Sequence, residues 1–154
     1  MDTPEPLDAH RVWFRLMRLH GKLSVAFGKR LRDIHLSIPQ CDVLCALMER
    51  EGVSQQDLAE RLFVTKGNIS GLIDRLVTSG LVERRKLKGD RRTHAIYLTE
   101  KGLNHGVQGL ALQRAFVEQV LGRLDHAQLL RMDALLTLTG DILTEAEATA
   151  EDPK

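Results

Sequence analysis

Much is missing from this chain of 154 residues. No run of apolar residues approaches the roughly 20 that a membrane-crossing helix needs, so no membrane partner is expected. Two cysteines, Cys41 and Cys45, are too few for a disulfide framework. Such thin use of cysteine fits a reducing compartment. The opening residues Met1–Pro6 are acidic and lack the basic start and apolar core of a secretory signal, so a cytoplasmic protein is expected. There is no internal repeat and no low-complexity stretch. There is no Ser-His-Asp set, phosphate loop or metal-ligand motif, so neither an enzyme nor a cofactor is expected. An excess of charge is missing too: 22 Lys+Arg stand against 21 Asp+Glu, a net charge of +1. Over the whole chain, that balance gives no sign of a nucleic-acid partner. What is present is ordinary. Hydrophobic residues make up 43%, enough for a sizeable core, and the length suits one domain.

The balance changes when charge is counted by segment. Residues 61–101 hold ten basic and four acidic side chains, a net of +6, which leaves −5 for the rest. A basic segment is often only a solvated face, so the secondary structure decides whether its charges converge.

Apolar residues at Val12, Leu16, Leu19, Leu23, Phe27 and Leu31 recur in steps of three and four, which predicts one long amphipathic helix from Leu7 to about Arg32. Ser37, with Pro39 in the first turn and Gln40 at the capping-box position, opens a second helix that stops near Gly52. Ser54-Gln55-Gln56-Asp57 repeats the capping pattern and opens a short helix through Leu58, Ala59 and Leu62. Thr65 caps a fourth helix, with Ile69, Leu72, Ile73, Leu76 and Val77 inside and Gly80 as its stop. Two strands are predicted next, Leu81–Leu87 and His94–Leu98, joined by the polar loop 88–93. Thr99 caps a long helix through Leu124, and a last helix starts at Asp125. The acidic tail Glu145–Lys154 is expected to fray. The resulting class is mainly α: a winged helix-turn-helix over 37–98, framed by helices at 7–36 and 99–147. The last helix carries Leu129, Leu130, Met132, Leu135, Leu136, Leu138, Ile142 and Leu143, which cover more than one face. The simplest way to satisfy such a helix is a symmetric homodimer.

A helix-turn-helix lays the start of its second helix on base edges in the major groove. Here Lys66 suits a phosphate or a guanine, Asn68 suits an adenine, and Thr65 and Ser70 can reach either phosphate or base. Gly67 and Gly71 either let the helix approach the groove closely or leave its first turn loose. Gln55 and Gln56 can hold phosphate. Arg91 and Arg92 sit where a wing tip can enter a minor groove, with Asp90 to orient an arginine. Arg75 and Lys88 complete the candidate contacts to double-stranded DNA. A winged helix used only for protein contacts, without DNA binding, is the alternative.

At this point the chain resembles the MarR family of bacterial transcription regulators. The likeness rests on Asp57-Leu58-Ala59, Asp74-Arg75-Leu76, Gly80-Leu81-Val82-Glu83-Arg84, Asp90-Arg91-Arg92 and Leu98-Thr99-Glu100-Lys101-Gly102, in that order. The resemblance implies a homodimer on a pseudo-palindromic operator, usually a repressor, often released by a small ligand or by oxidation. It makes Arg91 the minor-groove residue and Thr65–Ser70 the leading turn of the major-groove helix. Position 71, often larger and polar in the family, is glycine here. Family effectors bind between the dimer helices and the DNA-binding lobe. Mapped onto this sequence, the lining is Trp13, Leu16, Met17, His20, Cys41, Leu44 and Cys45, which suits a small aromatic effector. Cys41 and Cys45, one helical turn apart, are the candidates for a redox-sensing alternative. The scattered histidines offer no clean zinc spacing, even taken with the cysteines.

Overall fold

Asp8 opens the first helix by accepting the Arg11 amide on Oδ1 at 2.8 Å. The computed structural model describes residues 8–87 and 90–150, with side chains described for all of these except 87 and 90–93. The chain divides into two compact units, Met1–Gln113 and Arg114–Lys154.

In the first unit α1 runs from Ala9 to Leu31 and buries only Phe27 and Leu31. A short 3-10 turn, Arg32–Ile34, ends at His35 in the left-handed region (φ 56°). α2, Ile38–Glu49, starts on the predicted capping box. The Ser37 amide donates to Gln40 Oε1 at 2.9 Å, and the Gln40 amide donates back to Ser37 Oγ. α3 (Gln55–Arg61) and α4 (Lys66–Thr78) follow. The core lies where α2, α3 and α4 meet the sheet. Leu44, Leu47, Leu58, Ile69, Ile73, Leu76 and Ile96 are all buried there.

The sheet departs from the sequence reading in two ways. A two-residue strand β1, Val53–Ser54, precedes the wing and pairs with Ile96 and Ala95. It was not predicted, because nothing but its partner makes two residues a strand. The wing strands are β2, Val82–Leu87, and β3, Asp90–Leu98, so the second starts four residues before the predicted His94. The ladder runs antiparallel from Val82↔Leu98 to Lys86↔His94, shifts at a bulge, and closes with Leu87↔Asp90. Main-chain pairing carries the strand through polar residues that composition alone assigns to a loop. The order across the sheet is β1-β3-β2.

α5 spans Glu100–Val120. Its first half lies very close to α2: a Cβ on Gly106 would stand 2.6 Å from Met48 Sδ, and one on Gly109 would stand 2.6 Å from Cys41 Sγ. In the second unit a 3-10 turn at Leu121–Arg123 leads to α6, His126–Ala150. Asp125 and Gln128 cap α6 reciprocally, at 2.9 and 2.8 Å. Residues 145–150, expected to fray, continue the helix. No residue of α6 is buried.

Candidate nucleic-acid interface

The candidate interface comprises α3, the turn after it, α4 and the described part of the wing. Ser54 and Asp57 make the second capping box. The Asp57 amide donates to Ser54 Oγ at 3.1 Å, and the Ser54 amide donates to Asp57 Oδ2 at 3.0 Å. The Ser54 hydroxyl also donates to Asp57 Oδ2 at 2.8 Å, and this bond, with the one from the Ser54 amide, holds the Asp57 carboxyl below the usual carboxylate range. The turn reverses at Phe63, a fully exposed side chain on a left-handed residue (φ 53°). The Val64 amide then bonds the Ala59 carbonyl at 3.0 Å.

Thr65 caps α4, its hydroxyl accepting the Asn68 amide at 3.3 Å. Ile69, Leu72, Ile73 and Leu76 are buried and form the inner face of the helix. Thr65, Lys66, Asn68 and Arg75 are exposed, and Ser70 is half-buried. Gly67 and Gly71 leave a recess of about 310 Å³, bounded by Pro39, Asn68, Leu72 and Arg75. Among the described residues, nothing beyond its chain neighbours and its own helix backbone lies within 4 Å of a Cβ placed on Gly67, so internal packing does not require a glycine there.

The two glutamines of α3 have different partners. Gln56 is exposed and its Nε2 donates to Glu60 Oε1 at 3.1 Å. Gln55 is half-buried and its Oε1 accepts from Arg84 Nε at 3.0 Å. Arg84 on β2 also donates through Nη2 to Asp74 Oδ1 at 2.5 Å, tying the wing to both helices. Sequence reasoning did not single out Arg84 as a site residue. Its partners are 29 and ten positions away, and no local pattern links them. Its neighbour Arg85 pairs with Glu83 and lies over the Tyr97 ring, 4.1 Å from the centroid. The predicted wing contacts Lys88, Asp90, Arg91 and Arg92 fall outside the described residues, or outside those with described side chains.

The motif after the wing forms a clamp. The Thr99 hydroxyl donates to the Gly80 carbonyl at 2.7 Å and accepts the Gly102 amide at 2.9 Å. Lys101 Nζ reaches the Ser79 carbonyl at 2.9 Å. A Cβ on Gly102 would stand 1.8 Å from the Leu81 carbonyl oxygen, so only glycine fits.

The predicted effector lining separates into two groups. Trp13, Leu16, Met17 and His20 form an exposed stripe on α1, while Cys41 and Leu44 are buried on α2 and Cys45 is half-buried. The larger recess along α1, about 660 Å³, is lined by other residues, among them Gly21, Lys22, Val25 and Lys29. Burial pushes the Cys41 thiol up to about 12, with Cys45 and Asp42 beside it adding to the rise. Burial also raises the Cys45 thiol. A peroxide sensor needs an exposed thiolate of low pKa, and neither sulfur is one. Among the described residues no group of three metal-ligating side chains comes together. Nor is any of their helices long and apolar enough to cross a membrane.

Comparison with known proteins decides the family. A family model described as "MarR family" matches residues 35–93. An uncharacterised HTH-type transcriptional regulator of Bacillus cereus is 34% identical over 109 residues, covering 71% of this chain and 68% of that protein. This chain belongs to the MarR family. The HTH-type transcriptional regulator TtmR of Methylorubrum extorquens is 35% identical over 112 residues, 70% of this chain, which spans only 54% of TtmR. Among solved structures, the MarR-family regulator AbsC of Streptomyces coelicolor superposes with a TM-score of 0.81 at 25% identity, covering 92% of this chain and 99% of AbsC. FabT of Streptococcus pneumoniae, solved in complex with DNA, gives 0.78 at 22%, over 90% and 99%. The organohalide-sensing regulator RdhR, solved with 2,4-dichlorophenol bound, gives 0.79 at 17%, over 92% and 88%. The protein is thus a MarR-family transcriptional regulator with a winged helix-turn-helix, and the relatives named above are regulators rather than enzymes.

Proposed function

We propose that the protein is a cytoplasmic homodimeric repressor that binds a pseudo-palindromic operator and is released by a small aromatic ligand. Residues 37–98 form the reading head, and the helices of 7–36 and 99–147 hold the two copies together. Arg91 and Arg92 serve the minor groove, Thr65, Lys66, Asn68 and Ser70 serve the major groove, and Arg75 and Lys88 serve the backbone.

The observation that carries the reading is the state of α6. Leu130, Leu135, Leu136, Leu138, Ile142 and Leu143 are each more than half exposed. Burying a leucine or isoleucine side chain is worth about 1.5–3 kcal/mol, so a helix this apolar gains heavily from a second copy. The aromatic ligand is supported by the exposed Trp13, Leu16 and Met17 stripe and by the phenol bound to RdhR, a protein of the same fold.

The test begins with light scattering, where the expected mass is twice the chain's 17.3 kDa. Genomic fragments retained by the protein are then sequenced and tested for release by substituted phenols. A monomer, fragments with no inverted repeat, or a rise in transcription when the protein is added would each overturn part of the reading.

A further inference from the structure

Arg84 on β2 bonds both helices of the reading head, and its two bonds have different consequences. The bond to Asp74 pairs its charge with a carboxylate. The bond from Nε to Gln55 Oε1 sets a direction. A guanidinium has donors and no acceptor, so it draws in the oxygen of an amide and turns the NH2 away. Among the described residues, the Gln55 NH2 then meets no acceptor. On Gln56 the same group is taken by Glu60. The first helix of a helix-turn-helix crosses the DNA backbone, and a phosphate accepts hydrogen bonds but offers none. An amide with its nitrogen outward suits a phosphate, whereas the flipped amide would set oxygen against oxygen.

We propose that Arg84 is a positioning residue. It orients the Gln55 amide so that Nε2 donates to a backbone phosphate of the operator, and Arg84 itself touches no DNA. Of the two glutamines, Gln55 is the phosphate contact and Gln56 is not. This inference rests on the operator-binding reading above.

The test uses the full chain and a labelled duplex recovered from the genomic selection, with affinity followed through a salt titration. Arg84→Gln, Arg84→Lys and Gln55→Ala are each expected to weaken binding by about 5- to 10-fold, the size of one lost hydrogen bond. The lysine keeps the charge but not the two-pronged geometry, so it should not rescue. Gln55→Glu keeps an acceptor for Arg84 and turns oxygen toward the phosphate, so it should weaken binding further. Gln56→Ala should leave affinity unchanged. The double variant Arg84→Gln with Gln55→Ala should bind no worse than the weaker single. The slope of log K against log salt should be unaltered by Arg84→Gln, because no phosphate loses a neutralising charge. Gln55 takes no part in the core, so its variants report on binding even if loss of Arg84 loosens the wing. The proposal is overturned if the two effects multiply, if Arg84→Gln lowers the salt slope by about one, or if Gln55→Ala binds as tightly as the unaltered chain. If the unaltered chain binds no duplex, the operator reading fails and takes this proposal with it.

Discussion

Gly102 shows how a single residue without a side chain can fix a fold. The Thr99 hydroxyl gathers the Gly80 carbonyl and the Gly102 amide, which draws α5 onto the turn after α4 until backbone meets backbone. Gly102→Ala puts a methyl inside the Leu81 carbonyl and cannot be relieved by a rotamer change. The expected loss is about 3 kcal/mol or more, measured by urea unfolding. Cys41 makes a different residue-scale prediction. Its folded pKa, about 12, lies above the ordinary 9.0, so the fold favours the protonated thiol. That contribution is fully present below pH 9 and is lost between about 9 and 12, where only the unfolded chain ionises. Stability should fall along this alkaline limb, and Cys41→Ala should flatten it. Native Cys41 should also resist alkylation at neutral pH, read by mass spectrometry, while the unfolded chain reacts.

Helix starts, at the scale of the element, depend on residues three apart. Ser54→Ala should cost about 1 kcal/mol, the usual worth of such a cap. Because Asp57 titrates below the ordinary carboxylate range, its share of the box is present at neutral pH. It is lost as pH falls through the depressed value, so Asp57→Ala should flatten the acid limb of the stability curve. On α4, Asn68→Ala should cost about 1–3 kcal/mol of affinity and relax preference at one base pair, while Lys66→Ala should lower the salt slope by about one if Lys66 meets phosphate. Competitive binding to a panel of altered duplexes separates the two. The caps at Ser37, Ser54 and Thr65 were legible in the sequence because donor and acceptor are near neighbours. The same holds for the inner face of α4, whose apolar spacing is its own signal. β1 was not legible, since Val53 and Ser54 are a strand only because Ile96 and Ala95 lie opposite. Arg84 was not legible as a site residue because its amide and carboxylate partners are brought in by the fold. The early start of β3 was hidden by polar residues whose pairing is all main chain. The predicted effector lining was a projection from the family; in the structure part of it is core and part of it faces solvent.

At the scale of the whole molecule, the net charge of +1 divides into a reading segment of +6 and a remainder of −5. In the proposed dimer, two copies would present these heads to one duplex, about 34 Å apart. Ile142→Glu places a charge on the exposed apolar face of α6 and should shift the protein to its 17.3 kDa monomer. Operator affinity should then fall at least about 100-fold, as two linked contacts become one. Sedimentation and anisotropy on the same samples check both halves. The exposed stripe on α1 has an optical consequence. Trp13 is the only tryptophan in the chain and is 56% exposed, so its indole emission responds to whatever covers that stripe. If the stripe lies in the contact between copies, dilution should shift its emission to the red with no dye attached. An electron-poor aromatic seated against it should quench that emission at once. The regulator therefore carries its own fluorophore, on the surface where both events are proposed to occur.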